Sequence, residues 1–156
     1  MEHRAINLRV NGTPTAVAVP PETPLIFVLR NDVGAKGVRI GCGAGDCMAC
    51  TVLIDGHPQQ ACTLPVSSAE NMNIETAESL YDSEAGRLLI DSFIAEQAGQ
   101  CGYCLAGILM RAKALLDTRA SVSHAEIVAA IDGHLCRCGA HTRIVRAIAR
   151  ASGLRA

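Results

Sequence analysis

Residues 41–50 read GCGAGDCMAC, in which Cys42, Cys47 and Cys50 follow the spacing C-x4-C-x2-C. Cys62 follows after eleven intervening residues and completes a set of four. This is the spacing of plant-type [2Fe-2S] sites, with the fourth cysteine unusually close. The glycines of the same stretch allow tight turns, through which a backbone can approach an anionic group closely. We interpret the four cysteines as metal ligands.

A second set of cysteines lies in the C-terminal half. Cys101 and Cys104 form a C-x2-C pair, and Cys136 and Cys138 form a C-x-C pair after 31 intervening residues. Each pair falls just before or at the start of a predicted helix, where free N–H groups lower thiol pKa values and stabilise an anionic cluster. Spacing alone leaves zinc and iron-sulfur both open for this set. For the first set zinc is a much poorer match.

The composition supports metal binding inside a reducing compartment. The chain has 156 residues, with room for one ordinary domain or two small ones. Its N-terminus lacks an export signal and no apolar run is long enough to span a membrane, so we expect a cytoplasmic protein without a membrane span. Eight cysteines in such a protein are not explained by disulfides. The net charge of -1 and the scarcity of aromatic residues argue against a nucleic-acid partner.

The N-terminal half has the pattern of strands. One hairpin is predicted around Asn11-Gly12-Thr13-Pro14, and a short helix is predicted to open at Pro24. A second hairpin, TVLI with QQACTLPV, is predicted around Asp55-Gly56, with Cys62 inside its second strand. The segment MNIETAE closes the half as a last strand. This element order predicts a β-grasp, ferredoxin-like domain over residues 1–77.

The C-terminal half has helical periodicity instead. We predict that Gly99 caps the first helix, and that Ser123 and Glu126 form a capping box at the third. The four predicted helices cover residues 84–98, 103–117, 123–132 and 140–152. They predict a small four-helix bundle over residues 78–156, and the fold class of the whole chain is therefore α+β.

Several residues beside the cysteines are candidates for supporting roles. His134 and His141 flank the C-x-C pair and could at most contact the groups behind the ligands. Tyr103 and Met48 stand between ligands, and we expect them to cover the clusters from water. Arg137 either tunes the local charge or is simply solvated.

Three segments carry a family resemblance: GCGAGDCMACTVLIDG, QCGYCLAGILM and HLCRCGAHTRI. Together they resemble the small iron-sulfur subunit of the molybdenum hydroxylases, the xanthine dehydrogenase and aldehyde oxidase family. The resemblance covers nearly the whole chain and favours iron-sulfur over zinc at both sets. Met48 stands where the family commonly has glycine, and His141 where a tyrosine is frequent. The segment LRND resembles the isoquinoline oxidoreductase and nicotinate dehydrogenase branch.

The resemblance implies two [2Fe-2S] clusters and a division of labour. Gln100 matches a residue that touches the molybdopterin cofactor, and Cys138 matches the cluster ligand nearest to it. The ligands of the ferredoxin-like cluster are Cys42, Cys47, Cys50 and Cys62, and those of the helical-domain cluster are Cys101, Cys104, Cys136 and Cys138. The catalytic residues and the molybdopterin belong to a large partner subunit. Electrons then pass through the helical-domain cluster and the ferredoxin-like cluster to an FAD subunit or a cytochrome c.

The sequence therefore predicts the electron-transfer subunit of a hydroxylase that acts on an N-heteroaromatic compound or an aldehyde. Two other functions remain open. A stand-alone ferredoxin-like carrier would have a strongly acidic surface, whereas this chain is nearly neutral and 49% hydrophobic, which fits a permanent interface better. A zinc-binding adaptor would be colourless.

Overall fold

The structure, a computed structural model, describes residues 2–119 and 121–154. Within them the chain forms five strands and five α-helices. The strands are β1 (Arg4–Val10), β2 (Thr13–Val19), β3 (Thr51–Ile54), β4 (His57–Gln60) and β5 (Asn73–Glu75). The α-helices are α1 (Leu25–Asn31), α2 (Glu84–Ala95), α3 (Leu105–Asp117), α4 (His124–Ile131) and α5 (His141–Ala151). The predicted α+β class, a ferredoxin-like sheet domain followed by a helical domain, is confirmed.

The five strands form one mixed sheet in the order β2-β1-β5-β3-β4. The β1–β5 pair is parallel and the other pairs are antiparallel. Both predicted hairpins are present. Asn11 and Gly12 have φ values of 49° and 78°, as a two-residue type I′ turn requires, and Asp55 and Gly56 repeat the pattern with 48° and 81°. The first turn is shorter than predicted, because β2 already begins at Thr13.

The prediction that Cys62 lies inside a strand is wrong. β4 ends at Gln60, and the chain then leaves the sheet toward α1. The amide of Ile26 donates to the carbonyl of Ala61 at 2.9 Å, and the amide of Leu25 donates to the carbonyl of Leu64 at 2.8 Å. These long-range bonds replace the strand pairing. They place Cys62 in a turn, where it is buried.

The four predicted helices of the C-terminal half are all present. Ser123 and Glu126 form the predicted capping box at the start of α4. The predicted cap at Gly99 is wrong, since α2 ends at Ala95 and Gln97 takes the left-handed backbone conformation, with a φ of 48°. In the part of the chain that the structure describes, no helix is long and apolar enough to cross a membrane.

Strand β3 connects the two hydrophobic cores. All four of its residues are buried, because successive side chains point to opposite faces and each face is covered. Val52 and Ile54 pack into the core that the sheet shares with α1. Leu53 points the other way and packs into the core of the four helices. The sheet is therefore sandwiched between α1 and the helical half, chiefly α3.

Helix α3 approaches the cysteine loop at backbone distance. A Cβ atom added to Gly107 would lie 2.3 Å from the carbonyl oxygen of Met48 and 3.0 Å from that of Ala49. Neither atom can rotate away, because both belong to the main chain. Gly107 therefore permits a contact that no other residue would allow, and it fixes how closely the two halves of the chain pack.

The polar segment between the halves forms the 3₁₀ turn Ala77–Asp82. It is firmly held: the Glu78 carboxylate accepts a hydrogen bond from the amide of Gly37 at 2.7 Å and one from the hydroxyl of Thr76 at 2.6 Å. Leu80, only 1% exposed, packs into the core of the four helices. The division into domains of residues 1–77 and 78–156 stays a prediction.

Replacement of Gly107 by alanine tests the packing of the two halves. We expect Gly107→Ala to destabilise the protein by about 1–3 kcal/mol, the usual cost of overpacking, because the loop must move away from α3. The change is measured as a lower melting temperature by circular dichroism. Gly133→Ala is the matched control, since its Cβ would meet only the side chain of Met48, with the methyl group at 3.5 Å. Equal melting temperatures for the two variants would contradict the close approach.

Candidate metal centres

The first four cysteines gather around the loop of residues 41–50, between α1 and β3. Main-chain amides of this loop point at sulfur. Those of Ala44, Asp46 and Cys47 donate to Cys42 Sγ at 3.3, 3.3 and 3.4 Å, and the amide of Cys42 donates to Cys47 Sγ at 3.3 Å. Such a nest of N–H groups stabilises an anion. The loop can form it because Gly43 and Gly45 have φ values of 70° and 86°.

Gly41 allows the backbone to come close to a sulfur. A Cβ atom at this position would lie 2.4 Å from Cys47 Sγ, which is far inside van der Waals contact. Any side chain here would displace the thiol. The loop is thus shaped around its sulfurs, as expected for a stretch that wraps a cluster rather than one that packs a core.

The second four cysteines lie where two helices begin. Cys104 is the residue directly before α3, and Cys101 lies shortly before Cys104 in the preceding loop. Cys136 and Cys138 precede α5 (His141–Ala151). The structure therefore brings together the two pairs that are 31 residues apart in sequence, each at the N-terminal end of a helix.

Within each set of four cysteines, the thiols form two pairs. Cys101 and Cys138 have their sulfurs 3.5 Å apart. The other pairs in contact are Cys104 with Cys136, Cys42 with Cys47, and Cys50 with Cys62. In the described residues no three His, Cys, Asp or Glu side chains group as they would around one metal ion. Pairs of thiols match a centre with two irons, each of which takes two cysteine ligands.

The thiols of each set differ in acidity. Hydrogen bonds from the main-chain amides of Ala44 and Cys47 lower the pKa of Cys42 to about 6. An amide hydrogen bond from Tyr103 likewise lowers the pKa of Cys101. Burial instead raises the pKa of Cys50 and that of Cys104 to about 12. The exposed thiol of each set thus ionises more easily, whereas Cys50 and Cys104 need a bound metal to hold them as thiolates.

Two hydrogen bonds join the two sites. The amide of Leu135 donates to the carbonyl of Cys47 at 3.3 Å. The hydroxyl of Tyr103 donates to the carbonyl of Ile40 at 2.5 Å. Sequence reasoning missed both Leu135 and Ile40, because each takes part only through its main chain and carries no chemical signal of its own. The side chain of Met48 lies near Gly133, with its Sδ 2.9 Å from Gln60 Nε2.

Gln100 and Cys138 lie side by side at the surface. The amide Nε2 of Gln100 donates to the carbonyl of Cys138 at 3.3 Å, and Gln100 is exposed. This bond uses the amide nitrogen of Gln100, while its amide oxygen accepts no hydrogen bond from the described residues and can contact another molecule. Arg137, the residue before Cys138, is exposed as well.

The two histidines beside the C-x-C pair have structural positions. The ring Nε2 of His141 is 2.7 Å from the carbonyl of His134. His134 is 4% exposed. Both of its ring nitrogens are buried, and neither makes a well-formed hydrogen bond. The carbonyl of Gly107 is an acceptor close to them. Burial lowers the pKa of His134 to about 4, and its imidazole is therefore neutral.

Comparison with known proteins identifies both halves. A family model described as a 2Fe-2S iron-sulfur cluster binding domain matches residues 8–81, and one described as a [2Fe-2S] binding domain matches residues 76–149. The donor sets fit these groups, since each half provides four paired thiols and N–H groups directed at sulfur.

Relatives of known name match over almost the whole chain. One subunit of the nicotinate dehydrogenase of Pseudomonas putida is 46% identical over 150 residues, which are 96% of each chain. The alpha subunit of isoquinoline 1-oxidoreductase from Brevundimonas diminuta is 43% identical over 94% of this chain and 97% of its own length. A chain in the crystal structure of quinoline 2-oxidoreductase from Pseudomonas putida 86 is 37% identical, with a TM-score of 0.91 over 98% of this chain and 96% of that one. The protein described here belongs to the family of small [2Fe-2S] subunits of the molybdenum hydroxylases, the xanthine dehydrogenase and aldehyde oxidase family.

Proposed function

We propose that this chain is the electron-transfer subunit of a molybdenum hydroxylase, with one [2Fe-2S] cluster on each set of four cysteines. The observation that carries the proposal is the arrangement of eight thiols as two sets of pairs, joined by hydrogen bonds between their loops. The ligands of the first cluster are Cys42, Cys47, Cys50 and Cys62. The ligands of the second cluster are Cys101, Cys104, Cys136 and Cys138.

When bound, each cluster supplies a centre that takes up and gives back one electron. The protein contributes the environment. Main-chain N–H groups directed at Cys42 favour the negatively charged sulfurs of a cluster. The burial of Cys50 and Cys62 keeps water from the inner side of the first site.

The main chain offers a short connection between the two sites. Cys47 is a proposed ligand of the first cluster, and Leu135 is bonded covalently to Cys136, a proposed ligand of the second. The hydrogen bond from the Leu135 amide to the Cys47 carbonyl therefore joins the two sets through a single non-covalent step. A pair of centres in series suits a reaction that releases two electrons at the molybdenum and passes them on singly.

We propose that the large partner chain contacts this subunit at the second site. Gln100 and Cys138 are adjacent and accessible, as contact with the molybdopterin of a large partner chain would require. Two large apolar side chains beside the cysteines of this site are exposed, Leu135 by 63% and Tyr103 by 48%. Exposed apolar side chains beside a redox site favour a stable interface over the brief encounters of a stand-alone carrier.

The relatives narrow the proposed substrate. Nicotinate, isoquinoline and quinoline, which appear in their names, are all N-heteroaromatic compounds. We therefore propose an N-heteroaromatic substrate rather than an aldehyde for the complete enzyme. An FAD subunit or a cytochrome c as the acceptor, and a cytoplasmic location, stay predictions from the sequence.

Metal analysis tests the two-cluster proposal. The purified chain should contain about four iron and four inorganic sulfide, the content of two such clusters, and no stoichiometric zinc. Elemental analysis with sulfide determination measures both. Iron near two per chain would show that one set of cysteines does not hold a cluster, and stoichiometric zinc would support the adaptor function instead.

The Gln100→Ala variant tests the contact with the pterin. We expect both clusters to form and the reduction of the nearer cluster by substrate to slow by about tenfold, because an amide in a buried contact contributes about 1–3 kcal/mol. Single-turnover kinetics of the assembled enzyme measure the rate. Gln59→Ala, at an exposed position of β4, is the matched control. A wild-type rate in Gln100→Ala would remove Gln100 from the electron path.

The Cys47→Ser variant tests the order of the relay. A serine oxygen is a harder ligand than sulfur, and the first cluster should be lost or shift to lower potential, while the carbonyl that accepts from Leu135 stays in place. In rapid-freeze EPR of the assembled enzyme, substrate should reduce the second cluster at a near-normal rate while turnover with the acceptor collapses. Cys101→Ser should have the opposite effect and prevent reduction of the first cluster by substrate. Full turnover in a Cys47→Ser enzyme that lacks the first cluster would contradict the series order.

A further inference from the structure

Tyr103 is placed to act on both sites at once. It stands between Cys101 and Cys104 in the second site, and its hydroxyl donates to the carbonyl of Ile40, 63 residues away and two residues before Cys42. A phenol that extends from one cysteine loop to the main chain of the other connects two segments with no strand pairing between them.

Burial does not explain the position of this ring. Tyr103 is 48% exposed, and the apolar contact of a half-buried ring has no preferred direction. Its specific contacts are the hydrogen bond to Ile40 and the guanidinium group of Arg39, which lies 5.8 Å from the ring centroid. A cation at this distance attracts the face of the ring and opposes its rotation into solvent. The hydrogen bond and the cation, from the neighbouring residues Ile40 and Arg39, therefore hold the ring against the same segment.

The loops that Tyr103 joins are held at their bases, as by the Arg30 guanidinium at the Val38 carbonyl, but they are open beside their exposed cysteines. Each presents one exposed cysteine, Cys42 in the first and Cys101 in the second. Gly43 and Gly102 beside them have φ values of 70° and 78°, and no atom lies within 4 Å of a Cβ built on either. Such open, glycine-containing segments need a contact from outside to keep one position.

The bond from Leu135 to Cys47 and the bond from Tyr103 to Ile40 differ in kind. The first connects main chain to main chain and ends at a proposed ligand itself. The second passes through a long side chain and ends two residues from a proposed ligand. The bond from Tyr103 is therefore a poor route for electrons, but it is well suited to setting the distance between the two loops.

We propose that Tyr103 is a positioning residue that fixes the separation of the two cluster loops, with Arg39 holding its ring in place. The inference rests on the proposed function, in which each loop surrounds a [2Fe-2S] cluster. Small changes in separation matter here, because electron transfer and the magnetic interaction between two reduced clusters both weaken steeply with distance.

The test compares Tyr103→Phe with the wild type by EPR of the fully reduced protein. Phenylalanine keeps the ring and its contact with Arg39 but removes the hydroxyl. A neutral hydrogen bond shifts the ratio of joined to separated loops by about fivefold. We expect four irons per chain as in the wild type, with a weaker and broader spin-spin splitting. Arg39→Gln should weaken the splitting less, because the hydroxyl remains.

Tyr81→Phe is the matched control, since Tyr81 is the other tyrosine of the chain, is 65% exposed and lies away from both sites in the 3₁₀ turn. It should leave the splitting unchanged. An unchanged splitting in Tyr103→Phe would overturn the positioning role, and so would loss of either cluster, because Tyr103 would then serve cluster retention. A wild-type protein without two interacting clusters would instead overturn the proposed function.

Discussion

The fold depends on one requirement: main-chain N–H groups must point at sulfur. Four amides of the loop at residues 41–50 do so, and the turns that make this possible leave the loop no hydrophobic core of its own. It must therefore be held from outside. Strand β3 continues the chain at one end of the loop, and Cys62 is buried in the turn after β4. Helix α3 packs against the main chain of the loop at Gly107. The helical half thus supports the site of the sheet half.

At the junction between the two sites, the same residues serve more than one purpose. Helix starts provide N–H groups for the second set of cysteines, and they also bring Leu135 and Tyr103 against the first loop. His134, next to this junction in sequence, is buried and neutral, since burial of a charged side chain would cost free energy. Thiol placement, packing and the connection between the sites are therefore carried by the same short segments.

Much of this could be predicted from the sequence, for physical reasons that are local. Cysteine spacing identified both sets of thiols, the dipeptides Asn11-Gly12 and Asp55-Gly56 marked the two hairpins, and the capping box at Ser123 marked the start of α4. The exit of the chain after Gln60 was missed because α1, distant in sequence, binds that segment. The bonds between the sites were missed because almost every residue has a main-chain amide and carbonyl. Gly107 gave only the weak signal of a glycine inside a helix.

The shared strand β3 has a consequence for how such chains can be recombined. Leu53 is completely buried by the helical half, while its neighbours Val52 and Ile54 belong to the other core. A cut at residues 76–81, where the two family matches overlap, would expose one face of the sheet to water and invite aggregation. Chimeras between relatives would have to exchange β3 together with α3. The two halves look like separable modules in the sequence, but their cores share one strand.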